Sequence, residues 1–291
     1  MTTEWVEITV DVTPQSEEAI ANLLCELGSN GVVTDDGSAG RPAVSGYLPA
    51  GERIQERLAA VKTLWSELCE LGLASGACQP KVRSVPMSDW TGWQARFRPV
   101  KVSDRIVIMP PWATVTLKPE QVAVEIVPGL AFGTGEHETT RLCLLALEEF
   151  VKPGDRVLDT GTGSGILAIA AVKLGASGVI AVEIDDMALE SARENVDRNG
   201  VADSIGLYEG SIDHPSVTGS FRIIVSNTET RTIRTLLTGF RNRLEANGVL
   251  ILSGVLVEES EALAQDIAAH RFKITEASTD GEWWSCAARP V

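Results

Sequence analysis

Asp159 and Glu183 are the acids whose positions say most about chemistry in this chain. Asp159 closes the apolar run Val157-Leu158 and is followed by Thr160-Gly161-Thr162-Gly163-Ser164-Gly165, after which Ile166 to Ala171 reads at once as a helix. Glu183 closes a second apolar run, Val179-Ile180-Ala181-Val182. A strand ending in an acid, a turn with Gly161, Gly163 and Gly165, a helix and a second strand ending in an acid build a nucleoside pocket at the carboxyl edge of a parallel sheet. Two ligands compete for it. A dinucleotide places a pyrophosphate on the helix N-terminus and usually spaces its glycines G-x-G-x-x-G. The spacing here is G-x-G-x-G, with Asp159 just before the turn. A carboxylate there repels a pyrophosphate and suits a ligand with an ammonium group. S-adenosylmethionine has such a group, a ribose and no phosphate. Glu183 would then accept hydrogen bonds from the ribose hydroxyls. The plainer account makes the glycines a packing device and Glu183 a solvated strand end. The two acids in their strand–turn–helix context favour the methyl donor.

A second constellation lies upstream, in Pro128-Gly129-Leu130-Ala131-Phe132-Gly133-Thr134-Gly135-Glu136-His137-Glu138-Thr139-Thr140. It precedes a helix expected from about Arg141 to Phe150, which Thr139 is placed to cap. Its glycines permit close backbone approach, so the loop containing Thr134 is expected to fold over the methionine end of the donor. His137 is a ligand contact, an acid–base group or a loop-fixing hydrogen-bond partner, and the last is the ordinary role of one histidine in a polar loop.

These residues need elements to position them, and the chain has room for them. Its 291 residues are 44% hydrophobic and 22% charged, the composition of a folded chain long enough for two domains. No apolar run is long enough to span a bilayer. The start, Met1-Thr2-Thr3-Glu4-Trp5, lacks the basic-then-apolar pattern of a secretory signal. With five cysteines and no C-x-x-C pair, free thiols in a cytoplasmic protein are expected. Three histidines and no ligand cluster argue against a metal site. The net charge of −15 disfavours direct nucleic-acid binding and favours a basic partner, although it also serves solubility.

Residues 1–85 read as βαββαβ. Val6, Ile8, Val10 and Val12 alternate with polar residues, a helix runs from Pro14 to Gly28, and strands follow at Val32–Thr34 and Val44–Leu48. A helix striped by Ile54, Leu58, Val61, Trp65 and Leu68 leads to a last strand, Lys81–Val85. A ferredoxin-like sandwich is expected. A connector, 86–100, carries Trp90 and Trp93, which pin one domain to the other or pack on their own neighbours. From Lys101 to the end, strands and helices alternate as in a doubly wound α/β domain. Its later elements are a helix from Met187 to Asn199, strands at Ile205–Tyr208, Arg222–Val225 and Val249–Leu252, and a closing hairpin through Phe272–Thr275 and Trp283–Ala287.

On the Gly129–Thr140 loop, the Asp159–Ala171 run, Ile108-Met109-Pro110-Pro111-Trp112, Asn227, Leu252-Ser253-Gly254-Val255-Leu256 and Trp283, the chain resembles the PrmA family. Those bacterial enzymes methylate lysines of a stalk-base protein of the large ribosomal subunit. The resemblance spans nearly the whole chain. It implies a Rossmann-like class I methyltransferase domain behind a smaller substrate-recognition domain, S-adenosylmethionine as donor, and a basic ribosomal protein as acceptor. It also implies donor contacts at Thr134, Asp159, Gly161, Gly163, Gly165, Glu183, Ser211 and Asn227. Ser211 stands where the family often has an Asp near the adenine, and Glu183 where it has an Asp on the ribose. Asn227-Thr228-Glu229 replaces the usual Asn-Ile-Leu, and Glu136 and Glu138 stand where Thr and Pro are common. Asn227 either orients the acceptor amine or forms the turn after its strand. Glu229 either holds an incoming lysine or is an acid at a helix N-terminus. Other acceptors, a different protein lysine or a small amine, and a donor-binding protein without turnover are the competing readings.

Overall fold

A computed structural model of the chain describes residues 5–29, 32–35, 42–49, 54–85, 97–128, 135 and 137–291. Trp90, Trp93 and Thr134 lie outside these residues. The chain divides into two compact units, 1–96 and 97–291.

In the first unit the period-two pattern becomes β1 (Trp5–Asp11), β2 (Val32–Asp35), β3 (Ala43–Pro49) and β4 (Lys81–Val85), with α1 (Glu17–Glu26) and α2 (Ile54–Glu70) between them. The sheet order is β2-β3-β1-β4 and every pairing is antiparallel, the ferredoxin-like arrangement. Ile8 and Val10 of β1 pack on Ile20 and Leu24 of α1 and on Val61 and Trp65 of α2. The first helix begins at Glu17 rather than at Pro14. Thr13 and Ser16 exchange hydrogen bonds, the Thr13 N–H donating to Ser16 Oγ at 2.9 Å and the Ser16 N–H to Thr13 Oγ1 at 3.2 Å. That closed turn takes up the residues before the helix.

The second unit opens with a small sheet, β5 (Val100–Lys101), β6 (Ile106–Met109) and β7 (Val122–Glu125). Then come α3 (Glu138–Phe150), β8 (Arg156–Thr160), α4 (Ile166–Lys173), β9 (Gly178–Glu183), α5 (Asp186–Arg198) and β10 (Ile205–Glu209). The chain ends with β11 (Phe221–Asn227), α6 (Thr230–Arg243), β12 (Leu244–Leu256), α7 (Ser260–Ala269), β13 (Phe272–Asp280) and β14 (Trp283–Pro290). The large sheet has the order β10-β9-β8-β11-β12-β14-β13. Its first five strands are parallel, and the hairpin β13–β14 joins antiparallel to β12.

Both faces of the central strands β8 and β11 are buried, which is why they read as continuous apolar runs. Val157, Ile223, Val225 and Ile251 face one core with α3 and α4. Leu158, Ile224 and Leu250 face the other with Ile233, Leu237 and Phe240 of α6 and Leu263 and Ile267 of α7. Helix α4 is apolar on every side from Ile166 to Ala171, all of which are buried. Strand order reverses between β8 and β11. A crevice opens at their carboxyl ends, the switch point where such sheets take ligands. Among the described residues no helix is long and apolar enough to cross a membrane.

Candidate active site

The glycine turn is built by its neighbours on both sides. The N–H groups of Gly161 and Thr162 donate to the Val182 carbonyl at 2.9 and 3.1 Å, tying the end of β8 to β9. Gly161 has φ 71°, and a Cβ there would lie 2.7 Å from the Thr228 methyl. Gly165, at φ 82°, starts α4, and a Cβ there would press on Ala192 of α5 at 3.3 Å. A side chain at either place meets both a left-handed backbone and a filled space.

Above this turn is a cavity of about 290 Å³. Thr160 to Gly163 form its floor, with Ile166 and Leu167 of α4. Val182, Glu183 and Ile184 line one side, and Gly210 and Ser211 lie beyond them. Thr140 of α3, Asn227 and Thr228 after β11, and Thr232 and Leu236 of α6 line the other side. Among the described lining residues Glu183 is the one charged side chain, and none is Lys or Arg.

Gly161, Gly163, Glu183, Ser211 and Asn227 therefore come together around one cavity. Glu183 also does work that the sequence did not disclose. Its Oε2 accepts from the Gly163 N–H at 2.9 Å, and its Oε1 from the N–H groups of Ile184 and Asp185 at 2.8 and 3.2 Å. It pins the turn to β9 and keeps further lone pairs for a ligand.

Asp159 is placed differently from its expected role. It is fully buried and is not among the lining residues. Its Oδ2 accepts from the Thr162 hydroxyl at 2.6 Å, so the carboxyl braces the turn from beneath. Among the described residues Oδ1 is buried without a hydrogen-bond partner of normal geometry. Burial pushes the carboxyl up to about 7, and the nearby Glu183 charge adds to that, while the Thr162 hydroxyl and the Ala168 amide oppose it.

His137 also stands off the cavity lining. It caps α3, its Nδ1 accepting from the Thr139 N–H at 3.3 Å and lying 2.9 Å from the Thr139 hydroxyl. Its ring meets Trp283 edge-on at 5.1 Å. The cap is thus His137 and not Thr139, and α3 starts a turn earlier than its apolar pattern indicated. Arg141 pairs with Asp280, which joins this first turn to the C-terminal hairpin.

Asn227 is the most telling lining residue. Its Nδ2 donates to Thr140 Oγ1 at 3.4 Å, and its Oδ1 is buried with no hydrogen-bond partner among the described residues. With the amide nitrogen engaged, the carbonyl oxygen is left as a spare acceptor in the cavity wall. Thr140, Thr232 and Leu236 were not evident as site residues. The signal for the last two was the four-residue step from Thr228 through Thr232 to Leu236, which continues the strand end along one face of α6. Asn195 was hidden too. Buried on α5, it accepts from the Val127 N–H and donates to the Ser164 carbonyl, both at 2.9 Å, and so ties the chain before the Gly129–Thr140 loop to the glycine turn.

The site suits S-adenosylmethionine on these observations. Glu183 can serve a ribose, and among the described lining residues there is no cation for a pyrophosphate. Comparison with known proteins agrees. The family model for ribosomal protein L11 methyltransferase (PrmA) matches residues 4–290. Ribosomal protein L11 methyltransferase of Pelotomaculum thermopropionicum is 34% identical, covering 98% of this chain and 99% of its own. That of Desulfitobacterium hafniense is 35% identical, covering 98% and 97%. A crystal structure of a ribosomal protein L11 methylase from Lactobacillus delbrueckii subsp. bulgaricus is 33% identical and superimposes with a TM-score of 0.63, covering 67% of this chain and 99% of that one. The chain belongs to the ribosomal protein L11 methyltransferase (PrmA) family.

Proposed function

We propose that this chain transfers methyl groups from S-adenosylmethionine to amine groups of ribosomal protein L11, with the 97–291 unit holding the donor and the 1–96 unit recognising the protein. The observation that carries the donor assignment is the cavity lining. One carboxylate and no Lys or Arg among its described residues suit a cationic nucleoside and oppose a pyrophosphate. The acceptor assignment rests on the family and on a net charge of −15, which favours encounter with a basic partner. A cytoplasmic location goes with an enzyme that modifies a ribosomal protein.

When bound, S-adenosylmethionine supplies a methyl group already activated on a sulfonium, so the protein's task is alignment and exclusion of water. Glu183 offers its remaining lone pairs to ribose hydroxyls. Gly161 and Gly163 admit the ligand against bare backbone, Ile184 supplies an apolar contact, and Gly210 and Ser211 bound the far end. Thr134, outside the described residues, is assigned to the methionine end. Asp159 and Gly165 support the turn from behind, and His137 positions the start of α3. Asn227 Oδ1 accepts a hydrogen bond from the acceptor nitrogen and aims its lone pair, while Thr140 holds Asn227 in that orientation.

Calorimetry checks the donor assignment. S-adenosylmethionine is expected to bind with one site per chain and the dinucleotide NAD not to bind measurably. Preference for NAD would refute it.

A further inference from the structure

Resting on that reading, one rim of the cavity carries a group that has no part in holding the donor. Glu229 lies between the end of β11 and the start of α6 and is exposed. Its side chain makes no capping bond to the helix. Instead Oε1 accepts from the Thr232 hydroxyl at 3.3 Å. Thr232 lines the cavity, as do Thr228 and Asn227 on the strand side of Glu229. Glu229 is not itself a lining residue, but its bond to Thr232 and its place in the chain after Thr228 set its carboxylate beside the part of the wall that Asn227, Thr228 and Thr232 form. Arg231 is exposed on the same turn, and Glu259 accepts from the Thr230 hydroxyl at 2.6 Å. Among the described residues no lysine, arginine or histidine forms an ion pair with Glu229.

We propose that Glu229 is a specificity residue that receives the target lysine as its ammonium ion at the mouth of the cavity. A lysine arrives protonated at neutral pH and must be partly desolvated before it can react. An unpaired carboxylate at the entrance offsets that cost and rejects an anionic side chain. Because Glu229 is exposed, solvent screens the pair and the proton is not trapped. The ammonium loses its proton to water, and the free amine moves inward to Asn227 Oδ1. Its lone pair forms the new N–C bond as the S–C bond breaks, the electron pair stays on sulfur, and the positive charge leaves with the methylated amine until it sheds a proton.

The test uses the full chain, tritiated S-adenosylmethionine and purified L11 protein. Glu229→Gln should raise KM for L11 about three- to fivefold at low ionic strength, as loss of an exposed ion pair would, and flatten the rise of KM with salt. The loss should fall on KM more than on kcat, with Glu229→Asp recovering most of it. Glu190→Gln, on an exposed part of α5 away from the cavity lining, is the control and should behave as the parent chain. An unchanged KM and salt dependence in Glu229→Gln overturns the proposal. So does an equal loss of donor affinity, which would put the carboxylate on the donor. L11 binding is also measured by calorimetry without turnover. A chain that binds L11 through Glu229 but transfers no methyl group defeats the functional reading alone. One that methylates L11 with a KM indifferent to Glu229 defeats this inference alone.

Discussion

Thr140 and Asn227 decide which way the cavity wall accepts a hydrogen. If the Thr140 hydroxyl were absent, the Asn227 amide would be free to turn its NH2 group inward, where it would repel an amine N–H instead of accepting it. Thr140→Val is therefore expected to lower kcat by about tenfold, the loss of one oriented hydrogen bond. Donor affinity should stay near the parent value and Thr140→Ser should restore transfer, which single-turnover assays and calorimetry will read together. Asp159 makes a different residue-scale prediction. Its folded value of about 7 lies above the unfolded 3.8, so the folded state retains the proton over that interval while the unfolded state releases it. Stability should thus fall as pH rises from about 4 to about 7, the contribution being fully present at the acid end and lost above the folded value. Asp159→Asn keeps an acceptor for Thr162 and removes the titration. Its urea midpoint should change less over this interval, and identical slopes for the two proteins would show that Asp159 does not titrate there. The acid's position at a strand end was legible in the sequence. Its depth was not, because that depends on Thr162 folding back over it.

At the scale of elements, the order of strands and helices was legible wherever burial imposed a period. Alternation in β1 and two-sided apolar runs in β8, β9 and β11 announced themselves, as did the glycines at Gly161 and Gly165. Helix starts were less legible because polar side chains set them. Ser16 and Thr13 close a turn before α1, and His137 takes the cap that Thr139 was expected to fill. Connections made by one side chain across long chain separations were invisible for the same reason, and Asn195 is the clearest case. Asn195→Ala takes that partner from the half-buried Val127 N–H and the buried Ser164 carbonyl, at a cost of about 2–4 kcal/mol. Thermal unfolding should show the loss. Because the same bonds join the chain before the Gly129–Thr140 loop to the turn, donor affinity should fall as well. A variant with a lowered melting point and full donor affinity would mean that this link supports the fold but not the site.

For the whole molecule, division of labour between two units is the economical way to modify a protein. The 97–291 unit offers a cavity whose spare acceptor is Asn227 Oδ1 and whose rim carries Glu229, and the 1–96 unit offers a separate sandwich with a core of its own. The family placement of the chain and its excess of acids suit a basic partner. Methyl transfer to L11 is read by intact-protein and peptide mass spectrometry. Purified L11 incubated with the chain and S-adenosylmethionine should gain whole methyl increments on lysine side chains or its N-terminal amine, and Asn227→Ala should reduce that gain by about 100-fold while still binding donor. L11 recovered at its original mass, from a chain that binds the donor and is correctly folded, would mean that this chain does not methylate L11.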